Sequence, residues 1–167
     1  MLIVFSGLPG TGKTTLARAI AAERGATWLR IDAIEQALRA SGALAGGVGP
    51  AGYMVGYALA EANLRLGQAV VADSVNPLGI TRAAWRAVAA RAGVPCLEIE
   101  LVCADATEHR RRVENREADL PNHVLPRWEE VVRHDYEPWN TPCLRIDTAG
   151  RSVPDALQVL RDTIAAG

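Results

Sequence analysis

The sequence predicts an α/β fold of three layers, a five-stranded parallel sheet with helices on both of its faces. Three observations predict it. Short apolar runs alternate with longer stretches of helical period five times along 167 residues, the pattern that strand–helix–strand units impose. The first apolar run leads straight into a glycine-rich turn, and a helical stretch follows that turn at once. The composition, 49% hydrophobic and 22% charged, suits a chain that buries one ordinary core.

The elements follow in order. Leu2–Phe5 is a compact apolar strand that ends at Gly7. Lys13–Arg24 carries Leu16, Ile20 and neighbouring alanines at helical spacing, and Gly25 stops it. Thr27–Ile31 reads as a second strand and Ala33–Ala40 as a short helix. Ser41–Gly52 combines five glycines with Pro50, the composition of a loop. Tyr53–Leu66 returns to helix and closes at Gly67. Ala69–Ala72 is a strand ending at Asp73, and the loop SVNPLG follows it. Thr81–Ala92 is helix, stopped by Gly93 and Pro95. Cys96–Val102 is a strand and Ala106–Asn115 a helix rich in arginine. After Pro121 and Pro126 comes a helix from about Arg127 to Tyr136. Cys143–Ile146 is the last strand and Val153–Ala165 the closing helix.

Crossovers in such a sheet are right-handed. One feature fits it poorly. Glu98 and Glu100 lie on one face of their strand, and a strand covered on both faces has no place for two bare carboxylates. Either arginines pair with them or that face is partly open. No repeat and no boundary interrupts the pattern, so residues 1–167 read as one domain.

Bulk properties narrow the partners. A formal net charge of −1 supplies no long-range positive field for nucleic acid or an anionic membrane, although one basic groove can hide in a neutral total. Aromatic residues make up only 5%, few for stacking single-stranded bases. Cys96, Cys103 and Cys143 form no CxxC pair and sit in or beside apolar runs, as small buried hydrophobes do in a reducing compartment. His109, His123 and His134 lack metal-ligand spacing among themselves. Trp28, Trp85, Trp128 and Trp139 read as packing residues. The N-terminal MLIVFSG has no basic leader, and no later run is long enough to cross a bilayer. A soluble, cytoplasmic protein is expected.

The chemistry concentrates in GLPGTGKT, Gly7 to Thr14, which matches G-x-x-x-x-G-K-[ST] with a strand before it and a helix after it. Gly7, Gly10 and Gly12 let the backbone turn tightly and present N–H groups to phosphate oxygens. The next helix aims its positive end at the anion. Lys13 can reach the β- and γ-phosphates, and the Thr14 hydroxyl can ligate Mg²⁺. Gly10, Thr11, Gly12, Lys13, Thr14 and Thr15 therefore form the expected triphosphate cradle of a P-loop NTPase fold, with ATP and Mg²⁺ as cofactors. Lys13 is also the only lysine in a chain otherwise supplied with arginine. Neither NKxD nor TKxD occurs, which counts against a GTPase. The length is short for an AAA+ module with its helical subdomain.

The order of elements around this cradle resembles that of the small P-loop kinases: shikimate and gluconate kinase, chloramphenicol phosphotransferase, polynucleotide kinase and zeta toxin. The likeness spans nearly the whole chain, though its motifs outside the cradle are short. In LRIDAIEQAL it implies that Asp32 orients the acceptor hydroxyl and takes its proton; the plain alternative is a helix cap. Arg39 would hold the acceptor or simply lie exposed. VVADSVNP resembles the Walker B element, so Asp73 would organise Mg²⁺, with Ser74 and Asn76 lining the acceptor pocket; a turn-forming aspartate is the alternative. Arg112 and Arg116 stand four apart on one helical face. The resemblance makes them lid arginines that close over the phosphoryl group, the lid covering about residues 112–126. Otherwise they belong to a solvated face paired with Glu108 and Glu114, as expected for Arg110 and Arg111. In LRIDTAG, Asp147–Gly150 would border the adenine.

These expectations converge on an ATP-dependent phosphotransferase acting on a hydroxyl of a small molecule. Its acceptor should lie over the carboxyl ends of the strands. Two other readings stand beside it: a polynucleotide 5′-hydroxyl kinase, and a nucleotide-binding switch or ATPase that acts on a partner protein.

Overall fold

The computed structural model describes residues 1–44, 46–121 and 124–166. Five strands, β1 (Leu2–Ser6), β2 (Thr27–Arg30), β3 (Val70–Asp73), β4 (Cys96–Val102) and β5 (Leu144–Asp147), form one sheet. Seven helices accompany them among the described residues: α1 (Lys13–Arg24), α2 (Ile31–Ala40), α3 (Ala51–Arg65), α4 (Gly79–Ala92), α5 (Ala106–Glu114), α6 (Trp128–Val132) and α7 (Val153–Ala166). The strand order is β2-β3-β1-β4-β5, with every neighbouring pair parallel. In that order β1 is central, which is why Leu2–Ser6 is buried throughout and reads as an unbroken apolar run.

Alternation along the strands divides the core. Ile3, Phe5, Val71, Ile99 and Leu101 pack with Leu16 and Ile20 of α1 and Leu160 of α7. Leu2, Val4, Val70 and Ala72 face the opposite way, onto Leu64 of α3 and Trp85 and Val88 of α4. Successive residues pointing to opposite faces is the two-residue period of a strand. The chain winds from β1 toward β2 on one side and toward β4 on the other. That reversal opens a crevice beyond the carboxyl ends of β1 and β3. The register sets Phe5 and Arg30 each opposite Asp73, so the ends of β1, β2 and β3 lie level beneath it.

Local departures from expectation have physical causes. The second strand ends at Arg30, and Ile31 opens α2 directly. Arg30, extended at φ −96°, is the residue that precedes the helix, so Asp32 is not its cap. It lies in the first helical turn, where a carboxylate favours the helix dipole. The sixth helix covers only Trp128–Val132 rather than reaching Tyr136. Pro138 disfavours helix at the residue before it, and the 136–139 segment is drawn onto Arg82 instead. From α4, Arg82 donates to the carbonyls of Asn76 (3.1 Å), Pro77 (2.8 Å), Glu137 (2.8 Å) and Pro138 (3.2 Å). Its guanidinium carbon also lies 4.9 Å and 4.3 Å from the ring centres of Tyr136 and Trp139. The two carboxylates of β4 are paired by arginine: Arg86 donates to both Glu98 oxygens at 3.1 and 3.0 Å, and Arg145 lies 3.3 Å from Glu100. Arg145 is largely exposed, so the face is also partly open there.

No described helix is long and apolar enough to cross a membrane.

Candidate active site

The loop between β1 and α1 is pressed between the end of β4 and helix α5. A Cβ on Gly7 would strike the Leu101 carbonyl. One on Gly10, whose φ is 85°, would lie 2.7 Å from Val113 Cγ2 and 3.2 Å from His109 Cδ2. Only glycine permits this approach. The loop is braced from within, since Thr11 Oγ1 and Lys13 Nζ each donate to the Leu8 carbonyl at 2.9 Å. It is braced from outside by His109, which is buried and donates from Nε2 to the Pro9 carbonyl at 2.8 Å. This contact fixes the imidazole proton on Nε2. Sequence reasoning missed the role of His109, because its partner lies 100 positions away. Intrahelical bonding in α1 begins with the Leu16 amide on the Gly12 carbonyl. The amides of Lys13, Thr14 and Thr15 therefore precede it, as donors at the positive end of the helix.

A cavity of about 410 Å³ lies over this loop. Gly10, Gly12, Lys13, Thr14 and Thr15 form its base; Asp32, Asp73 and Ser74 form one side, and Arg111, Arg112 and Arg116 another. Residues from four separate segments of the sequence thus meet in one space. Thr11 is buried and faces the loop itself rather than this cavity.

Asp73 ends β3 with its side chain almost wholly buried, and its Oδ2 has no hydrogen-bond partner among the described residues. Burial pushes its carboxyl above the usual range, and the Lys13 charge and Thr14 hydroxyl offset this only in part. The Ser74 hydroxyl beside it is also buried without a partner. Orphaned buried oxygens are costly. A hard cation with oxygen ligands fits them: Asp73 and Thr14 would hold Mg²⁺, and the loop amides with Lys13 would hold the phosphates.

Lys13 responds to the same confinement. Burial pushes its ammonium down to about 8 from 10.5, against the opposing pull of Asp73 and Asp32. Raising the pH through about 8 therefore neutralises the free protein's cradle cation, whereas bound phosphates favour the charged form. Affinity for ADP should fall by up to about tenfold per pH unit above pH 8, with uptake of a proton on binding. Calorimetry in buffers of different ionisation heat measures both. A flat affinity between pH 7 and about 9.5 would contradict it.

Asp32 is half-exposed, with Oδ2 3.9 Å from Arg30 Nη2. Arg30 itself forks onto Asp119, Nη1 to Oδ2 at 2.5 Å and Nη2 to Oδ1 at 2.9 Å. The pairing holds the Asp119 carboxyl below its usual range. Gln36 Nε2 donates to the Pro121 carbonyl at 3.0 Å. These two contacts tie the segment after α5 across the start of α2. Neither Arg30 nor Asp119 stood out in the sequence.

Arg112 and Arg116 both line the cavity but differ in their contacts. Arg112 is turned to the loop after β5, donating to Thr148 Oγ1 (2.9 Å), the Thr148 carbonyl (2.8 Å) and Glu108 (2.6 Å). It forms a wall shared with a neighbouring cavity of about 300 Å³ that Thr148, Arg151 and Ser152 border. Within Asp147–Gly150, then, Thr148 faces this second space, while Asp147 accepts from the amides of Ala104 and Ala149. Arg110 pairs with Glu114 as expected of a solvated face, but Arg111 lines the phosphate cavity instead. Asn76 is fully buried, at φ 50°, with its amide donating to Ser6 Oγ at 2.9 Å. It braces the loop after β3 and does not line the cavity; Ser74 does. Arg39 pairs with Glu35 on the outer face of α2, away from the cavity. His123 lies outside the described residues.

Comparison with known proteins agrees with this fold. No curated protein matches the sequence. Among solved structures, the chain is similar to a putative kinase from Chloroflexus aurantiacus J-10-fl, with 25% identity, 96% of each chain covered and a TM-score of 0.75. It is also similar in fold to the Mycobacterium tuberculosis APS kinase CysC in complex with AMPPNP and APS (21% identity, 98% and 96% covered, TM-score 0.71). A third similar fold is Chaetomium thermophilum Kti12 in complex with ADP-AlF3 (21% identity, 99% and 98% covered, TM-score 0.73). A family model described as "AAA domain" matches residues 2–134. Among the described residues α7 follows β5. With a glycine-bounded phosphate loop at the head of a five-stranded parallel sheet, the chain has the P-loop NTPase fold of the small kinases and belongs to this AAA domain family, AAA_33.

Proposed function

We propose that the protein transfers the γ-phosphate of ATP to a hydroxyl of a small molecule. The observation that carries this reading is the convergence of Lys13, Asp32, Asp73 and Arg116 on one cavity over the phosphate loop. Bound Mg²⁺, held by Thr14 and Asp73, would neutralise phosphate charge. Lys13 and the α1 amides hold the phosphates in line with the acceptor. Asp32, at the edge of the cavity, orients the hydroxyl and receives its proton as the new oxygen–phosphorus bond forms. ADP leaves with the electron pair of the broken bond. Arg116 stabilises the charge spread over the transferring group. The similar fold of an APS kinase seen with AMPPNP and APS supports a small acceptor beside a nucleotide.

The test is transfer of labelled γ-phosphate to a panel of hydroxyl compounds and a 5′-hydroxyl oligonucleotide, with the parent protein and with Asp32→Asn. A base that mainly positions a hydroxyl in a loose transition state contributes about 10²-fold. Asp32→Asn should therefore lower kcat about 10²-fold and leave the Kd for ATP within about twofold. Product on the oligonucleotide alone, with binding that falls steeply with salt, would favour the polynucleotide reading. Free phosphate released equally by both proteins, with no labelled product, would favour the switch or ATPase.

A further inference from the structure

A third space adjoins the phosphate cavity, and Arg112 does not line it. It measures about 350 Å³ and shares Pro9, Asp32, Val75 and Arg116 with the first cavity. Asp32 and Arg116 therefore stand on the boundary between the two, where an acceptor hydroxyl has to meet the phosphoryl group. Beyond that boundary the wall is chiefly aliphatic: Leu125 and Pro126 from the segment after α5, Val131 from α6, and Val75. Val131 is 1% exposed, so this wall is continuous with packed protein. Glu130 and His134 stand at the rim.

The charges here discriminate between acceptors. Arg116 is the one guanidinium that lines this space among the described residues, against the carboxylates of Asp32 and Glu130. Glu130 is fixed in place, accepting from the Arg127 amide at 2.7 Å. Arg30, the other base beside Asp32, is already occupied by both oxygens of Asp119. An anionic acceptor would set its charge against two carboxylates with no free guanidinium to receive it, because Arg116 faces the phosphoryl group. Desolvating such a charge without a partner is strongly unfavourable. An aliphatic wall instead gains by covering apolar surface, and a volume of this order suits a molecule of one or two rings.

We propose that this space is the acceptor subsite, and that the acceptor is a neutral or amine-bearing hydroxyl compound with an apolar ring or chain. Sugar acids and phosphorylated sugars are disfavoured by the same charges. The inference rests on the phosphotransferase reading above and goes further by naming the acceptor class.

The experiment measures kcat/KM for labelled phosphate transfer to phenylethyl alcohol, phenylalaninol, methyl glucoside, gluconate and glucose 6-phosphate, with ATP binding followed in parallel. Transfer to the two phenyl compounds should exceed transfer to gluconate and glucose 6-phosphate by at least about tenfold, with methyl glucoside also below them. Leu125→Asn, a change in a half-buried loop residue, should raise KM for phenylalaninol about tenfold and leave KM for ATP unchanged. Equal or faster use of gluconate, glucose 6-phosphate or methyl glucoside would overturn the acceptor class. An unchanged KM in Leu125→Asn would overturn the subsite. Transfer to other members of the hydroxyl panel above but to neither phenyl compound would overturn this inference alone; no transfer to any member, with phosphate released equally by Asp32→Asn, would remove the phosphotransferase reading and this inference with it.

Discussion

Replacing Lys13 by alanine should lower kcat/KM for ATP about 10³-fold, close to 4 kcal/mol of transition-state stabilisation. The ammonium sits in a buried cradle, 2.9 Å from the Leu8 carbonyl and within the field of Asp73 and Asp32. The ammonium is mostly shielded from solvent, so a point charge acts there at more than its strength in water. Arginine should fail almost as fully, because a planar fork needs more room than a loop closed by Gly10 against Val113 leaves it. Stability offers an independent check. Burial already pushes the Lys13 ammonium down to about 8, which marks its charged form as strained in the nucleotide-free protein. The Tm of Lys13→Ala without nucleotide should therefore equal or exceed the parent's, while the rise in Tm caused by ATP should disappear. A variant that keeps turnover within tenfold of the parent would take Lys13 out of the machinery. A variant that simply unfolds would make its role structural.

What could be read from the sequence depended on how locally each feature is determined. The phosphate loop was legible because its geometry is imposed within eight residues: a backbone that must pass close to β4 and α5 admits glycine at Gly7 and Gly10 and little else. Strand identities were legible from apolar runs, since β1 is buried on both faces. Asp73 could be found because a strand's carboxyl end in this fold delivers its last residue to the crevice. Contacts across large sequence separations left no such trace. Arg30 and Asp119 are 89 positions apart, and Arg82 and Glu137 are 55 apart; neither pair disturbs any local period. The start of α2 misled for a related reason. Capping preference favours aspartate, but the strand runs directly into the helix and Arg30 takes the position before it. Beyond α5, the expected shared face fails, because the helix ends at Glu114 with Asn115 as its cap and Arg116 lies past it. The cavity is also wide enough to take in Arg111, and Thr148 draws Arg112 aside. Periodicity sets the face of a helix and not which of its arginines a neighbouring loop will claim.

Arg82→Leu should be the most destabilising single change outside the apolar core, by about 3–5 kcal/mol. The residue is 1% exposed and donates to four backbone carbonyls from two segments, 76–77 and 137–138. Leucine fills much of the volume but leaves those carbonyls without donors, at about 1–3 kcal/mol for each that water cannot reach. The contacts of the guanidinium with Tyr136 and Trp139 are lost as well. For a domain of this size the cost corresponds to a fall in Tm of roughly 6–20 °C. Lysine should rescue little, since a single ammonium cannot reach four carbonyls spread around the guanidinium edge. The consequence reaches the active site through Asn76, whose carbonyl accepts from Arg82 Nε and whose amide holds Ser6 at the end of β1. Once released, the loop that carries Ser74 and Val75 into the two cavities loses its anchor. In any Arg82 variant that still folds, KM for the acceptor should therefore rise while the Kd for ADP stays near the parent's, because the phosphate loop is braced separately by His109 and Thr11. Thermal unfolding and steady-state kinetics on the same preparation would separate the two effects. A Tm within about 2 °C of the parent's would show that the clamp contributes little to the fold.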